Sequence, residues 1–363
     1  MSVAINGTDG ITYNDGSLQP SAPVGKNLII NGDMRIDQRN ATITPTSNDD
    51  FCVDRWSGRE ETDGAISMQQ STDAPAGFVN SLKVTVTTAD ASIASGQFTR
   101  IAQPIEGYNI ADLNWGTADA QSVTLSFWIK SSVTGNFYGG IRNSAGNRAY
   151  VFSYSVSSAS TWEKKTVTIA GDTTGTWLTD NNKGIWLLYS IGTGTDFQGT
   201  AGAWQSANVW SVSGDNGVMG TLNATWYLTG VQLEANTTAT PFEHLQYSQQ
   251  LALCQRYYTK FTTTNTYSTF GFGTAATNAR MTTQYHFPTT MRAAPSTSYS
   301  GTLSVLYGTS RTNITSSPDS QLNFNGGYVN YDVSGTPFTA ITYSGLIGAN
   351  NDASCYVEFN SEL

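Results

Sequence analysis

Two histidines, His244 and His286, are the only imidazoles in the sequence for nucleophilic or metal-assisted chemistry. A Ser–His–Asp hydrolase needs a histidine beside an activated serine, and neither histidine lies near a GxSxG nucleophile elbow. No HExxH pattern is present. The sequence therefore disfavours both a catalytic triad and a catalytic zinc site.

Paired carboxylates are the one enzymatic chemistry that the spacing of residues leaves open. Glycoside cleavage needs two acids roughly 5 to 10 Å apart, on either side of the sugar bond. The acids near predicted loops are Asp49, Asp50, Asp54, Glu60, Glu61, Asp172, Asp180, Asp196 and Asp215. Because Asp is a favoured turn residue, we interpret them first as solvated turn residues. A glycan depolymerase with two loop carboxylates stays an alternative.

Aromatic side chains are the larger surplus, with 9 Trp, 18 Tyr and 15 Phe in 363 residues. Sugars stack their apolar C–H faces on such rings, while neighbouring polar groups bind the hydroxyls. Trp177, Trp204 and Trp210 lie in or near glycine-rich loops, and Tyr138 and Arg142 flank the stretch GGIRNSAGN. These five residues are the candidate glycan-binding set. The competing interpretation is that each Trp belongs to the core or to the edge of a sandwich.

Asp33 and Glu234 fall at the two ends of the proposed first domain. First and last strands are often neighbours in such a fold, so the two carboxylates could hold a structural Ca²⁺, which prefers oxygen ligands. The alternative is that both are surface carboxylates. We expect no other cofactor.

The elements that must position these residues are strands. Only 12% of residues are charged, whereas β-branched, aromatic and glycine residues are abundant, a composition typical of strands joined by polar turns. Apolar and polar residues alternate at 81–87, 122–132, 149–158, 162–171, 184–192 and 224–234. This alternation indicates antiparallel strands with one polar face. Residues 27–243 are therefore predicted to form a jelly roll or β-sandwich.

The start of that domain carries a further local prediction. The triplet Leu28–Ile30 before Asn31 and Gly32 indicates a first strand followed by a turn. We expect Trp56 to be buried at the sandwich edge and Arg55 to pair with a nearby carboxylate. Both are interpreted as fold-determining residues.

The pattern changes period after residue 240. Apolar residues recur every three to four positions, which predicts a helix over 248–259 with Ser248 as N-cap, within a linking segment 244–261. Residues 262–363 return to the strand pattern and are predicted to form a second, smaller β-sandwich. Residues 1–26 have too little apolar surface to fold alone, so we expect an arm that pairs with neighbouring chains.

Charge and cysteine usage exclude several function classes. A net charge of −9 and a pI near 4.6 disfavour nucleic acid and anionic membrane surfaces as partners. No apolar run is long enough to span a membrane, and the N-terminus lacks a signal-peptide pattern. Cys52, Cys254 and Cys355 are odd in number and far apart, so we expect buried thiols in a protein made in a reducing cytoplasm.

Three segments, in order, resemble phage and prophage tail-fibre-like structural proteins that carry a carbohydrate-binding-module-like jelly roll. They are NLIINGDMRIDQRN with DDFCVDRW, SVTLSFWIKSS with TWEKKTVTIAGDTTGTW, and GVQLEANTTATPFEHLQYSQQLALCQRYYTKF. The N-terminal GITYNDGSLQPSA is similar to short segments near the starts of such fibres, and YHFPTTMRAAPS is a weaker similarity in the C-terminal part.

The resemblance implies a non-enzymatic virion protein, made in the host bacterial cytoplasm and commonly trimeric. Its jelly roll would bind a host surface polysaccharide, and residues 1–26 would attach to other virion proteins. Many weak contacts would become strong through multivalency. The alternative within the same class is an architectural head-fibre or decoration protein that binds only virion proteins.

Overall fold

The computed structural model describes three short strands within the first 25 residues, and residues 26–363 apart from 216, 264, 318 and 339–343. Two compact units divide the chain: Met1–Arg35 with Ala41–Leu245, and Ile36–Asn40 with Gln246–Leu363. The strands of the predicted arm, β1 (Ala4–Asn6), β2 (Gly10–Thr12) and β3 (Leu18–Gln19), form an antiparallel sheet. The rest of that arm up to residue 25 lies outside the described residues.

The first unit is built from two antiparallel sheets. The seven-stranded sheet has the order β14-β11-β10-β13-β8-β5-β4, and the five-stranded sheet has the order β12-β9-β15-β7-β6. The strands are β4 (Asp50–Phe51), β5 (Ser57–Glu60), β6 (Ala65–Ser71), β7 (Ser81–Thr88), β8 (Phe98–Glu106), β9 (Val123–Ser131), β10 (Gly135–Asn143), β11 (Ala149–Val156), β12 (Glu163–Ile169), β13 (Lys183–Thr193), β14 (Trp204–Gln205) and β15 (Thr225–Glu234). Short 3₁₀ turns lie at Gly107–Asn109, Ala111–Leu113 and Thr195–Phe197.

Both sheets contribute alternate residues to one core, as the period-two pattern predicts. On the five-stranded sheet the buried positions are Leu82, Val84 and Val86 of β7, with Val123, Leu125 and Phe127 of β9. On the seven-stranded sheet they include Ile185, Leu187, Tyr189 and Ile191 of β13. The predicted all-β, antiparallel sandwich is confirmed. Since Trp186 lies between core positions of β13, its side chain points to the outer face of the seven-stranded sheet.

The predicted strand over Leu28–Ile30 is wrong. The backbone amides of this segment are bonded largely by side chains: Asn27 Oδ1 accepts from Ile29 N at 3.0 Å, and Gln103 Oε1 accepts from Ile30 N at 2.9 Å. Gln103 also donates to the Ile30 carbonyl at 2.9 Å. Side-chain amides thus take the place of strand-to-strand hydrogen bonds and hold the segment as an irregular turn. The apolar triplet in the sequence gives no sign of these side-chain bonds.

Trp56 and Arg55 are both buried, in agreement with a structural role. The Trp56 indole N–H donates to the Asn31 carbonyl at 3.1 Å. The Arg55 guanidinium donates to the Pro104 carbonyl. The two residues therefore connect the turn after residue 30 with strand β8.

The second unit contains helix α1 (Tyr247–Gln255) and two sheets. Its strands are β16 (Tyr258–Thr262), β17 (Thr269–Thr277), β18 (Arg280–His286), β19 (Ser296–Ser300), β20 (Leu303–Tyr307), β21 (Ser310–Ser316), β22 (Ser320–Asn323), β23 (Gly326–Val333), β24 (Ser344–Ala349) and β25 (Tyr356–Asn360). Strands β16-β25-β19 form one sheet. In the other, β18 pairs with both β17 and β23, so six strands close into a ring with β22 beside β23.

The helix ends earlier than the spacing predicts. Tyr258 begins β16 and pairs with Asn360 of β25, so pairing between distant strands overrides the helical spacing at this point. The capping contact at the start is the Gln249 side chain, which accepts from the Gln246 amide at 3.2 Å; Ser248 lies within the first turn. The three cysteines are buried free thiols, as predicted, and burial raises the pKa of Cys355 to about 11.

Within the described part of the chain, no helix combines the length and the apolar character needed to cross a bilayer.

Candidate functional site

A group of cations surrounds one indole on the outer surface of the seven-stranded sheet. We call this surface the Trp186 face and define it by Arg100 of β8, Arg142 of β10, and Lys183 and Trp186 of β13. The ladder places Arg142 directly opposite Trp186. Arg100 lies opposite Ser190, further along the same strand and on the same face. Three neighbouring strands thus bring these side chains together.

All three cations lie against the Trp186 ring. The distances to the ring centroid are 3.5 Å from Lys183 Nζ, 4.4 Å from Arg100 Cζ and 5.7 Å from Arg142 Cζ. Cations over an indole face are attracted by its quadrupole. Only 4% of Trp186 is exposed, so the ring serves as a platform for the cations and leaves little surface for a ligand to stack on.

Carboxylates neutralise only part of this charge. Asp49 Oδ1 lies 2.9 Å from Arg100 Nη2, and on β5 the Arg59 Nε donates to Glu61 Oε1 at 2.6 Å. Among the residues that the structure describes, no carboxylate lies within ion-pair distance of Arg142 or Lys183. Arg142 donates through Nη1 to the amide oxygen of Asn208.

Two guanidinium nitrogens of the face are buried without a hydrogen-bond acceptor, Arg100 Nη1 and Arg142 Nε. A buried donor without a partner costs free energy. Burial, together with the neighbouring charge of Arg100, lowers the pKa of Arg142 to about 10. Burial also lowers the pKa of Lys183 to about 8, against the attraction of Asp49 and with the repulsion of Arg100 and Arg142.

The loop that follows β13 packs on the neighbouring part of the outer face. Phe197 stacks on Trp210 with ring centroids 4.6 Å apart, and Phe98 packs edge-on against both. Trp210 is 1% exposed. Its ring approaches Arg142, with Cζ at 5.8 Å from the centroid. Trp210 is therefore a buried residue of this loop that lies next to the Trp186 face.

Trp177 and Trp204 come together at a different place. They pack with Trp115 in a three-ring cluster with centroids 4.7 to 5.5 Å apart. Trp177 is buried and its indole N–H donates to Asp172 at 3.2 Å. Trp204 is half-buried and donates to the Ala170 carbonyl at 2.8 Å. This cluster packs on the core at the edge strand β14.

The predicted glycan-binding set is thus divided by the structure. Arg142 and Trp210 meet at the Trp186 face, and Tyr138 lies four residues before Arg142 on β10, half-buried on the same face. Trp177 and Trp204 form the edge cluster. Sequence reasoning missed Trp186, Arg100 and Lys183. The signal was present, because Trp186 is out of phase with the apolar positions Ile185 and Leu187.

The five-stranded sheet carries a second cation–aromatic group on its outer side, which we call the Trp162 cluster: Asp73, Lys130, Trp162 and Tyr227. Lys130 Nζ lies 4.4 Å from the Tyr227 centroid and 5.4 Å from the Trp162 centroid. Here the cation is paired, because Lys130 forms a salt bridge with Asp73. The Trp162 indole N–H donates to the same carboxylate at 3.1 Å.

The remaining candidates have protein partners. Asp33 forms an ion pair with Arg35 at 3.1 Å. Glu234 accepts from the Thr240 amide at 2.9 Å, the Thr240 hydroxyl at 2.7 Å and Gln232 at 2.8 Å. No cluster of three or more His, Cys, Asp or Glu suited to a metal is found among the described residues.

Of the loop carboxylates, Asp172 pairs with Arg148. Asp215 is buried, and burial raises its pKa despite hydrogen bonds from Ser190 and Ser211. Each of these two carboxylates is thus engaged by other side chains, Asp215 by Ser190 of strand β13 and by Ser211.

No protein-family model matches the chain, and no curated protein matches it. Among solved structures, the enzymatically active domain of bacteriophage CBA120 tailspike protein 4 is 13% identical with a TM-score of 0.33; the match covers 58% of this chain and 22% of that one. The family 11 carbohydrate-binding module from Clostridium thermocellum, in complex with a mixed-linked tetrasaccharide, is 12% identical with a TM-score of 0.28 over 56% of this chain and 99% of that one.

A third structure, the N-terminal cellulose-binding domain of Cellulomonas fimi β-1,4-glucanase C, is 13% identical with a TM-score of 0.27, over 51% of this chain and 90% of that one. Identities and TM-scores this low carry no argument about function. The functional conclusion therefore rests on the residues of this chain.

Proposed function

We propose that the chain is a glycan-binding virion protein of the phage tail-fibre type, which uses the Trp186 face for contact with a bacterial surface polysaccharide. The observation that carries this proposal is the meeting of Arg142 and Lys183 at the Trp186 ring, with Tyr138 further along β10 on the same side of the sheet. A few charged and polar donors held at fixed positions are what binding of sugar hydroxyls and acidic groups requires.

The direct test is binding of the purified protein to an array of bacterial glycans, with Arg142→Ala compared with wild type. We expect wild type to bind a subset of the array and Arg142→Ala to lose at least tenfold in affinity, about 1.4 kcal/mol. Lys130→Ala in the Trp162 cluster is the matched control and should bind as wild type does. Absence of any glycan binding would favour the architectural alternative, a protein that binds only other virion proteins.

The virion assignment rests on the sequence resemblance and has its own tests. We propose a homo-oligomer, a trimer, attached to other virion proteins through residues 1–26. Light scattering should give three times the monomer mass of 39.0 kDa, and deletion of residues 1–26 should prevent incorporation into particles imaged by immunogold labelling. A monomer, or a truncated chain that is still incorporated, would contradict this part.

We propose that the protein acts without catalysis. Release of reducing ends from a bound polysaccharide would contradict this and support a depolymerase. Asp196→Asn is the informative variant, because Asp172 and Asp215 are held by other side chains and their replacement would disturb the loops. Loss of such turnover in Asp196→Asn would identify one of the two acids.

A further inference from the structure

We propose that Arg142 and Lys183 of the Trp186 face bind the carboxylate of an acidic sugar residue, so that the protein selects uronate-bearing polysaccharides over neutral ones. The inference rests on the proposed function for the sugar. It adds the charge of the ligand, which the proposed function leaves open.

The first step is the charge balance of the face. Asp49 pairs with Arg100 at 2.9 Å, and Glu61 pairs with Arg59. Arg142 and Lys183 have no such carboxylate within the described residues, although the whole chain carries a net charge of −9. Both side chains are only half-buried. A local excess of two positive charges thus reaches solvent on a protein that is otherwise acidic.

The fold holds these charges close together and partly buried. Arg100 is 4% exposed, its Nη1 has no acceptor, and neither has Arg142 Nε. Trp186 holds the three cations against one ring within 5.7 Å. Like charges held together in partly buried surroundings repel one another, and an anion placed between Arg142 and Lys183 would remove that repulsion. Charge-assisted hydrogen bonds to a carboxylate are among the strongest that proteins make.

The third step is the choice of anion. A nucleic acid presents one charge about every 1.7 Å of duplex, and the net charge of −9 on the chain disfavours binding of such a density. A uronate polysaccharide presents single carboxylates on hydroxyl-bearing rings, which suits a small cationic patch beside the Asn208 amide. Among anions, a single carboxylate on a sugar therefore fits best.

The experiment compares tri-D-galacturonate with the neutral galactotriose and with inorganic phosphate, by calorimetry on the full chain. We expect tri-D-galacturonate to bind at least tenfold more tightly than either. Arg142→Gln and Lys183→Gln should each weaken its binding about tenfold, whereas Lys130→Gln in the Trp162 cluster should leave it unchanged. Denaturant unfolding of each variant identifies any loss that comes from misfolding.

A pH signature separates binding by Lys183 from any general effect. Because the pKa of Lys183 is lowered to about 8, its charge is mostly present near pH 7 and mostly lost near pH 9. Affinity should therefore fall about tenfold over that interval. Lys183→Arg keeps the charge at both pH values, so this variant should bind tri-D-galacturonate without the fall. Lysine side-chain NMR should show the Lys183 pKa rising when the ligand binds.

The outcomes distinguish the two proposals. Equal affinity for galactotriose and tri-D-galacturonate overturns the charge selection and leaves glycan binding intact. Binding of phosphate as tight as that of tri-D-galacturonate, with the same losses in the variants, overturns the sugar assignment. If no polysaccharide binds but tri-D-galacturonate still raises the Lys183 pKa, the anion site is supported and the proposed adhesion is overturned.

Discussion

The outer surfaces of the two sheets in the first unit carry the same motif with different charge balance. On the Trp186 face, Lys183 lies 3.5 Å from an indole centroid, and on the Trp162 cluster Lys130 lies 4.4 Å from a phenol centroid. Lys130 has a carboxylate partner in Asp73. Lys183 is surrounded by Arg100 and Arg142, and its pKa is lowered, first by burial and further by repulsion from these two cations.

The contrast shows that contact with an aromatic ring does not by itself offset the free-energy cost of burying a cation. A cation–π contact contributes about 0.5 to 2 kcal/mol, and removing a charge from water costs several kcal/mol unless a partner replaces the solvent. The Trp162 cluster has that partner within the chain. The Trp186 face lacks a full set of partners, and such imbalance is found where proteins bind charged ligands.

The largest expected effect comes from removing one carboxylate from each group. In Asp49→Asn the buried Arg100 loses the carboxylate that lies 2.9 Å from its Nη2, and the side chain of Arg100 is 5% exposed. Breaking a buried pair in this way costs about 3 kcal/mol. In Asp73→Asn the lost carboxylate is 45% exposed, so the cost should stay below about 1 kcal/mol. Urea unfolding of both variants measures the difference, and equal losses would contradict the comparison.

Replacing the two lysines should give effects of opposite sign. Lys183→Met removes a charge that the fold disfavours, which should raise the free energy of unfolding by about 1.4 kcal/mol for each pKa unit of lowering. The lost cation–π contact offsets part of this gain. We expect a net stabilisation of about 1 to 2 kcal/mol near pH 7. Lys130→Met breaks a satisfied pair and should destabilise by about 0.5 kcal/mol. Thermal and urea unfolding near pH 7 test this, and destabilisation by Lys183→Met would refute it.

The pH dependence of stability follows from the same group. The pKa of Lys183 is lowered from 10.5 to about 8 in the folded chain. Between these values the unfolded chain holds a proton that the folded chain has lost, so stability rises with pH. We expect wild type to gain about 1 kcal/mol between roughly pH 8 and 9.5 relative to Lys183→Met.

The upper limit of that window has a physical reason. Burial raises the pKa values of Tyr154 and Tyr189 above 10.0 in the folded chain. Above about pH 10 the tyrosines of the unfolded chain ionise first, so the stabilities of wild type and Lys183→Met fall alike. The difference between the two proteins levels off because Lys183 of the unfolded chain then loses its own proton, near its ordinary pKa of 10.5. A wild-type curve that stays parallel to that of Lys183→Met below this limit would show that Lys183 titrates normally.

The strands could be predicted from the sequence because one face of each sheet is buried. Alternation at 81–87 and 122–132 reports that burial directly, and the strands at Ser81–Thr88 and Val123–Ser131 follow it. Leu28–Ile30 failed for the opposite reason, since Gln103, far away in the chain, supplies its hydrogen bonds. Long-range side-chain contacts leave no local pattern.

The candidate site was predictable only in part for a related reason. Arg142 was found because it flanks a glycine-rich stretch, but Arg100 and Lys183 lie on β8 and β13, and only strand order brings them to Arg142. Glycine-rich loops drew attention to Trp210, which the structure buries at 1% exposure. The phase of Trp186 within its strand was the better signal, because it identifies an aromatic residue on the outer face.

Salt should produce the smallest change in stability, and the sign of that change is what distinguishes the two groups. Mobile ions screen charges near the surface, with a Debye length of about 10 Å at 0.1 M. Screening weakens the repulsion among Lys183, Arg100 and Arg142, so wild type should gain about 0.3 kcal/mol relative to Lys183→Met when sodium chloride rises from about 0.1 to 0.5 M. Screening also weakens the attraction between Lys130 and Asp73, so wild type should lose a similar amount relative to Lys130→Met.

Urea unfolding at both salt concentrations gives the two differences. If the Trp186 face and the Trp162 cluster differ in charge balance, the two salt-induced changes in stability must have opposite signs. The same sign for both would show that the two groups differ in burial alone.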